Sequence, residues 1–87
     1  MILLGEKNKI VGKVMSFYKK IGVAAVDLTG NLTVGDTILI KGHTTNFEQK
    51  VDSMQINNEK VEKVKKNDQM GIRVTDKVRI GDLVFKK

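Results

Sequence analysis

Three aspartates are the residues whose placement most resembles a chemical site. Each follows a glycine or an asparagine and precedes a β-rich run; they are Asp36, Asp68 and Asp82. Carboxylates are preferred ligands of Ca²⁺ and Mg²⁺, but such sites draw several oxygens from closely spaced residues. Here each aspartate stands alone beside a residue that tolerates positive φ, where its carboxylate can bond the turn's own amides. We therefore predict three tight turns that lead into strands, and neither a metal site nor a cofactor.

Other kinds of catalytic site lack a complete set of residues. His43 is the single histidine and the chain has no cysteine, which excludes a histidine cluster, a thiolate zinc site and a Cys–His dyad. The segment 27–30 differs from an aspartyl-protease signature by an inserted leucine, and Ser16 and Ser53 lack a glycine elbow. There is no phosphate-binding glycine loop. We predict that the chain is not an enzyme and that His43 lies at a loop tip, with a partner contact as the alternative.

The charge balance favours anionic partners. Lys and Arg number 16 against 10 acids, a net charge of +6, which suits RNA or another polyanion; the alternative is a lysine-covered surface that keeps the protein soluble and protects strand edges. Only two of the sixteen are arginines, so nucleic-acid contacts would be to phosphates, with one tyrosine available for stacking on a base. The candidate nucleic-acid-binding residues are Lys13, Tyr18, Lys19, Lys20, His43, Lys63, Lys65, Lys66 and Arg73.

The length of 87 residues predicts one domain, spanning residues 1–87, and the 40% hydrophobic content fits a folded chain. The apolar start, Ile2 to Leu4, is too short for a signal peptide, and no apolar run approaches the length of a membrane span. We expect a cytoplasmic protein.

Short β-rich runs separated by polar turns predict an all-β fold. The runs are 10–17, 23–28, 37–41, 47–56, 69–74 and 83–86. Within 47–56 the apolar residues change parity between Val51 and Met54, which predicts a β-bulge. The segment 57–66 is ambiguous: we favour an extended segment and a turn over a short helix capped by Asn58.

Several stretches, in this order and spacing, resemble the stand-alone translation elongation factor-like proteins over about residues 10–86. They are Val11-Gly12-Lys13-Val14 and the segments 32–38, 40–47, 51–56, 70–74 and 78–82. More distantly the chain is similar to domain 2 of elongation factor Tu and of initiation factor two. It is also similar to the C-terminal barrel of collagenase-like peptidases and related tRNA-modifying enzymes. The resemblance implies a small closed Greek-key barrel of six or seven strands.

In the translation GTPases this barrel contacts tRNA or ribosomal RNA. The resemblance therefore implies a non-catalytic RNA-binding or translation-associated module that contacts tRNA or rRNA through lysines. The GTPase domain is absent, so no site formed between two domains is carried over. The alternative is a protein-interaction module that docks onto a partner enzyme or a ribosomal component, with an exposed apolar patch around Phe47 or Phe85. The oligomeric state stays open.

Overall fold

The computed structural model describes residues 9–87, so the apolar start lies outside the described residues. This part of the chain forms ten β-strands. They are β1 (Lys9–Tyr18), β2 (Val23–Leu28), β3 (Leu32–Thr33), β4 (Thr37–Lys41), β5 (Asn46–Lys50), β6 (Met54–Ile56), β7 (Glu59–Val61), β8 (Lys63–Val64), β9 (Gln69–Arg73) and β10 (Leu83–Lys86).

Eight strands form one antiparallel sheet in the order β5-β4-β10-β1-β2-β9-β6-β7, and β3 pairs with β8 in a second, small sheet. Three hairpins, β1–β2, β4–β5 and β6–β7, supply neighbours along the chain. The last two strands of the chain are inserted between these hairpins: β9 lies between β2 and β6, and β10 lies between β1 and β4. These returns are Greek-key connections, because they place strands beside partners that are distant in sequence.

The core lies inside the curled sheet, since strands β2, β4 and β9 alternate buried apolar side chains with outward-facing ones. In β2, for example, Ala24, Val26 and Leu28 are buried while the residues between them are half-buried. The buried apolar side chains are Val11, Val14, Ala24, Val26, Leu28, Leu32, Ile38, Ile40, Val51, Met54, Val64, Met70, Ile72, Val74, Val78 and Val84.

Strand β1 buries residues of both parities because it contains two register irregularities. Its pairing with β10 skips Val11, and its pairing with β2 skips Met15. Val11 and Val14 are therefore both buried, whereas Met15 is 44% exposed. Each extra residue reverses which face the following side chains occupy.

The bulge predicted within 47–56 is wrong. Strand β5 ends at Lys50 and pairs with β4, whereas β6 begins at Met54 and pairs with β9. The parity change therefore marks a corner at which the chain crosses to another part of the sheet. Val51 holds this corner: its N–H donates to the Asp36 carbonyl at 2.8 Å, and its carbonyl accepts from the Gly35 N–H at 2.9 Å.

The segment 57–66 is extended, as predicted, and contains β7 and β8. Asn57 and Asn58 form the two-residue turn between β6 and β7, with φ of 54° and 67°. Positive φ at both central residues is the signature of the type I′ hairpin turn. Asn58 therefore serves a hairpin, and the helix-capping alternative is wrong.

The prediction of a small all-β barrel is confirmed. The described chain has more than the six or seven strands expected, because β3, β6, β7 and β8 are pieces of two or three residues formed at corners. The two ends of the sheet order, β5 and β7, pair by ladders with β4 and β6, and among the described residues no ladder joins β5 to β7. Next to β7, the Glu62 carbonyl accepts a hydrogen bond from the Val34 N–H at 2.9 Å.

Within residues 9–87 there is no helix with the length and apolarity needed to cross a bilayer. The cytoplasmic location stays a prediction.

Candidate functional site

The three aspartates form three copies of one turn. In each copy the aspartate Oδ2 accepts a hydrogen bond from the backbone N–H three residues earlier, and its own N–H donates to that residue's carbonyl. The earlier residues are Thr33, Lys65 and Arg79, with Oδ2 distances of 2.9, 2.9 and 2.8 Å for Asp36, Asp68 and Asp82. The return bonds all measure 3.0 Å. The carboxylates therefore serve the turns, and the prediction of three tight turns leading into strands is confirmed.

The residue before each aspartate lies in the left-handed region, with φ of 99°, 77° and 96° for Gly35, Asn67 and Gly81. This is the conformation for which glycine and asparagine are suited. Across residues 9–87, no three His, Cys, Asp or Glu side chains group together in a way that suits a metal ion.

His43 lies exposed in the loop 42–45, in agreement with the loop position predicted for it. The Gly42 N–H closes this loop by donating to the Thr45 carbonyl at 2.8 Å. The loop packs tightly on the third aspartate turn, since a Cβ added to Gly42 would lie 1.8 Å from the Asp82 Oδ1. Asp82 itself is only 4% exposed.

The nine candidate nucleic-acid-binding residues are all exposed, but the structure does not bring them onto one surface. Tyr18 and Arg73 lie in one row across the sheet, because both are paired with Val23; Lys19 and Lys20 follow in the adjoining turn. Lys63 and Lys65 line a separate cleft next to Lys66, while Lys13 lies in β1 and His43 in the loop described above. A role shared by all nine residues stays a prediction.

The cleft that contains Lys63 and Lys65 continues into a second hollow through the shared residues Asn31 and Lys86. The two hollows have volumes of about 490 and 480 Å³, and we call them together the lysine cleft. Part of the positive charge here is neutralised within the chain. Lys86 lies 3.4 Å from Asp36, and Lys87 forms an ion pair with Glu48.

A different hollow lies on the outer face of β2, β9 and β6, and we call it the outer groove. Its floor follows a row of residues directly paired across the strands: Ala25 faces Gly71, and Gly71 faces Gln55. Small side chains at the centre of this row leave a volume of about 420 Å³, which adjoins a second hollow of about 380 Å³ beside Lys60 and Arg73.

Exposed apolar side chains border the outer groove. Tyr18 and Ile21 line it and are 53% and 61% exposed. The apolar patch expected around Phe47 or Phe85 is not at that place, because both phenylalanines are half-buried and Phe47 packs against the core. Sequence reasoning missed the groove because its floor depends on pairing between distant strands. The available signal was the pair of small residues, Ala25 and Gly71, at outward-facing positions.

The chain is similar to segments of curated proteases. It is 47% identical over 76 residues to a protein of Methanocaldococcus jannaschii named an uncharacterized protease, covering 86% of this chain and 19% of that protein. It is 36% identical over 83 residues to a collagenase of Porphyromonas gingivalis, covering 93% of this chain and 23% of that protein. The chain thus spans about a fifth of the length of these relatives. No protein-family model matches it.

Two crystal structures have the same fold. Both are of the C-terminal domain of a Geobacillus thermoleovorans protein described as a U32 peptidase. One has a TM-score of 0.86 at 14% identity, covering 100% of this chain and 99% of that chain. The other, a selenomethionine variant, has a TM-score of 0.84 at 16% identity, covering 91% of this chain and 99% of that chain.

These findings correct the function inferred from the sequence. The relatives carry protease and collagenase names rather than those of translation or RNA-binding proteins, so the RNA-binding and translation-associated function is wrong. The resemblance to translation elongation factors is therefore not supported. Of the resemblances, the one to the collagenase-like barrel is supported: the chain is similar to segments of an uncharacterized protease and of a collagenase, and it has the fold of the U32 peptidase C-terminal domain.

Proposed function

We propose that the chain is a non-catalytic accessory barrel of a collagenase-like peptidase. The observation that carries this proposal is the extent of the match. The matches to relatives with protease names cover 86–93% of the length of this chain, but only about a fifth of the length of those relatives. A barrel that matches so small a share of a protease is best explained as a part that supports the reaction carried out by the remainder.

The distribution of polar side chains supports the non-catalytic part of the proposal. Hydrolysis of a peptide bond needs a nucleophile or an activated water, together with a base held within hydrogen-bonding distance. Asp36, Asp68 and Asp82 each bind the backbone of their own turn. His43 lies in an exposed loop, and the Asp82 carboxylate, on which Gly42 of that loop packs, is bound to the Arg79 N–H at 2.8 Å.

A first experiment tests for catalysis by the chain itself. The purified chain is incubated with gelatin and casein, and the products are separated by electrophoresis. We expect both substrates to stay intact at protein concentrations where a collagenase relative degrades them. Cleavage by the chain that is abolished by His43→Ala, with the fold retained by circular dichroism, would overturn the non-catalytic assignment.

A second experiment tests the accessory role. The matching segment of the Porphyromonas gingivalis collagenase is deleted, or is replaced by residues 10–85 of this chain or by an unrelated β-barrel of similar size. We expect the deletion to lose gelatin-degrading activity or solubility, this chain to restore it, and the unrelated barrel to fail. If the replacement folds but performs no better than the unrelated barrel, the accessory role is refuted.

A further inference from the structure

We infer that the outer groove binds an extended polypeptide segment in which apolar side chains alternate with carboxylates. This inference goes beyond the accessory role, and either can fail while the other holds, because binding is measured on the isolated chain and the role on the chimeric collagenase.

The floor of the groove is the first reason. Ala25 and Gly71 face each other across β2 and β9, and Gln55 faces Gly71 from β6. On the buried face of the same strands, Ala24 faces Ile72 and Val26 faces Met70. At this row the outer face carries small side chains, while the neighbouring inner-face positions carry Val26, Met70 and Ile72. The depression therefore lies on the outer face and removes none of these large side chains from the core.

The apolar border is the second reason. Tyr18 and Ile21 stand beside the groove, 53% and 61% exposed, and a backbone turn fixes their relative position. The Tyr18 carbonyl accepts hydrogen bonds from both Ile21 N–H, at 3.2 Å, and Gly22 N–H, at 2.9 Å. Large apolar side chains that border a hollow and are exposed together are characteristic of interaction surfaces.

The charge around the groove selects the partner. Two cationic side chains, Lys60 and Arg73, line the hollow that adjoins the groove, and Lys19 and Lys20 lie in the turn between β1 and β2, beside Tyr18 and Ile21 in the chain. Within residues 9–87 none of these four forms an ion pair, since the pairs there involve Lys86 and Lys87. The carboxylates nearby include Asp52, which lines the adjoining hollow, Asp27, which lies in β2 opposite Lys13, and Glu59, which follows the groove-lining Asn58. The excess of positive charge around an apolar centre is complementary to apolar residues flanked by acids.

A polypeptide suits this groove better than a nucleic acid. Nucleic-acid grooves combine cationic tracks with several stacking aromatics, whereas Tyr18 is the single aromatic side chain that lines this groove. Its centre is formed by aliphatic, glycine and amide groups, which suit aliphatic side chains and a peptide backbone.

The test is a titration of the ¹⁵N-labelled chain followed by two-dimensional NMR. The probe is an acetylated heptapeptide that alternates glutamate and leucine. One matched peptide replaces each leucine by serine, and another replaces each glutamate by lysine. We expect the glutamate–leucine peptide to shift the amide signals of Val23, Ala25 and Gly71. The two control peptides should bind at least tenfold more weakly.

Variants locate the site. Ala25→Phe fills the floor and should abolish the peptide-induced shifts. Lys60→Gln and Arg73→Gln remove charge at exposed positions and should each weaken binding about two- to fivefold, as expected for exposed ion pairs. Both of these positions are exposed, so Lys60→Gln and Arg73→Gln should fold and still test the inference if Ala25→Phe fails to fold. Lys41→Gln, exposed at the end of β4, is the control and should bind as the parent chain does.

Three results would overturn the inference. The first is the lack of shifts at Val23, Ala25 and Gly71 with the glutamate–leucine peptide at millimolar concentration. The second is a set of shifts confined to the lysine cleft. The third is a single-stranded oligonucleotide that shifts the groove amides more strongly than the peptide does, which would assign the groove to a polyanion.

Discussion

The side chain of Gln49 accepts a hydrogen bond from the backbone N–H of Thr75 at 2.8 Å, across 26 positions of sequence. The same amide group donates from Nε2 to the Arg73 carbonyl at 2.9 Å. Gln49 lies in β5, at one end of the sheet order, while Arg73 ends β9, near the other end. One side-chain amide thus bonds the backbone on both sides of Val74, in the way that a peptide group of a neighbouring strand would.

We expect Gln49→Ala to lower the free energy of unfolding by about 1–2 kcal/mol, since the bonds to the Arg73 carbonyl and the Thr75 N–H are lost, together with longer ones to the Lys50 carbonyl and the Thr75 hydroxyl, and an exposed hydrogen bond contributes at the low end of roughly 0.5–1.5 kcal/mol. Gln49→Glu removes only the donors to Arg73 and Lys50 and should cost less. Amide hydrogen exchange separates the two variants: the Thr75 N–H should exchange faster in the alanine variant and stay protected in the glutamate variant. Gln69→Ala, an exposed glutamine elsewhere, is the control. Equal exchange of Thr75 in all variants would show that Gln49 does not join the sheet ends.

The contact between Gly42 and Asp82 predicts strong energetic coupling. Gly42 does not have positive φ, so alanine suits its backbone, but the added Cβ would lie 1.8 Å from the Asp82 Oδ1. Gly42→Ala should therefore lower stability by about 1–3 kcal/mol, as overpacking does. Asp82→Ala should also be destabilising, because the Arg79 N–H loses its acceptor.

In the double variant the clash is relieved, so the combined loss should be smaller than the sum by about 0.5–3 kcal/mol. Urea denaturation of the four proteins measures this difference. Strict additivity would mean that the loop 42–45 does not pack on Asp82. Lys41→Ala, next to the loop but exposed, should have little effect.

The aspartate turns allow backbone strain to be tested without steric contact. Gly81 has φ of 96°, and a Cβ added there would meet nothing within 4 Å. Gly81→Ala should cost about 1–2 kcal/mol from left-handed backbone strain alone, and Gly81→Asn should cost less. At the equivalent position, Asn67→Gly should be neutral or stabilising. Ile80→Ala, 72% exposed, is the neighbouring control. If Gly81→Ala leaves the free energy of unfolding unchanged, the positive φ at this position is contradicted.

At the hairpin turn 57–58 we predict a substitution that raises stability instead of lowering it. Asn-Gly is the preferred pair for a type I′ turn, so Asn58→Gly should raise the melting temperature, whereas Asn58→Ala should lower stability by roughly 1–2 kcal/mol because its φ is 67°. Asn46→Gly applies the same substitution within β5 and should be mildly destabilising. If both glycine variants lower the melting temperature to the same extent, the type I′ assignment is wrong.

The positions of most main strands along the chain were predictable from the sequence, because they depend on residues that are close together in the chain. The run Thr37–Lys41 is β-rich, with Ile38 and Ile40 on one face, and it follows an Asp turn that is formed entirely by neighbours in sequence. The bulges in β1 and the corner at Val51 were not predictable. Both produce a mixture of apolar parities, and only the strands that pair with them show which one is present.

The candidate site was less predictable than the fold. The candidate lysines are divided among different places: Lys13 lies in β1, Lys19 and Lys20 lie in the turn after it, and Lys63 lies in β8. Conversely, Ala25 and Gly71 are 46 positions apart in the chain yet face each other directly. Two small outward-facing side chains form a depression only when their strands pair, and the sequence does not show which strands pair.

By itself the sequence determined the all-β class and the three aspartate turns, since strand periodicity and turn chemistry depend on residues close together in the chain. The tertiary structure alone decided which outward-facing residues share a surface, how Gln49 joins the sheet ends, and where the exposed apolar side chains gather. These depend on which strands pair, and pairing is settled by burial of the whole core rather than by any one segment.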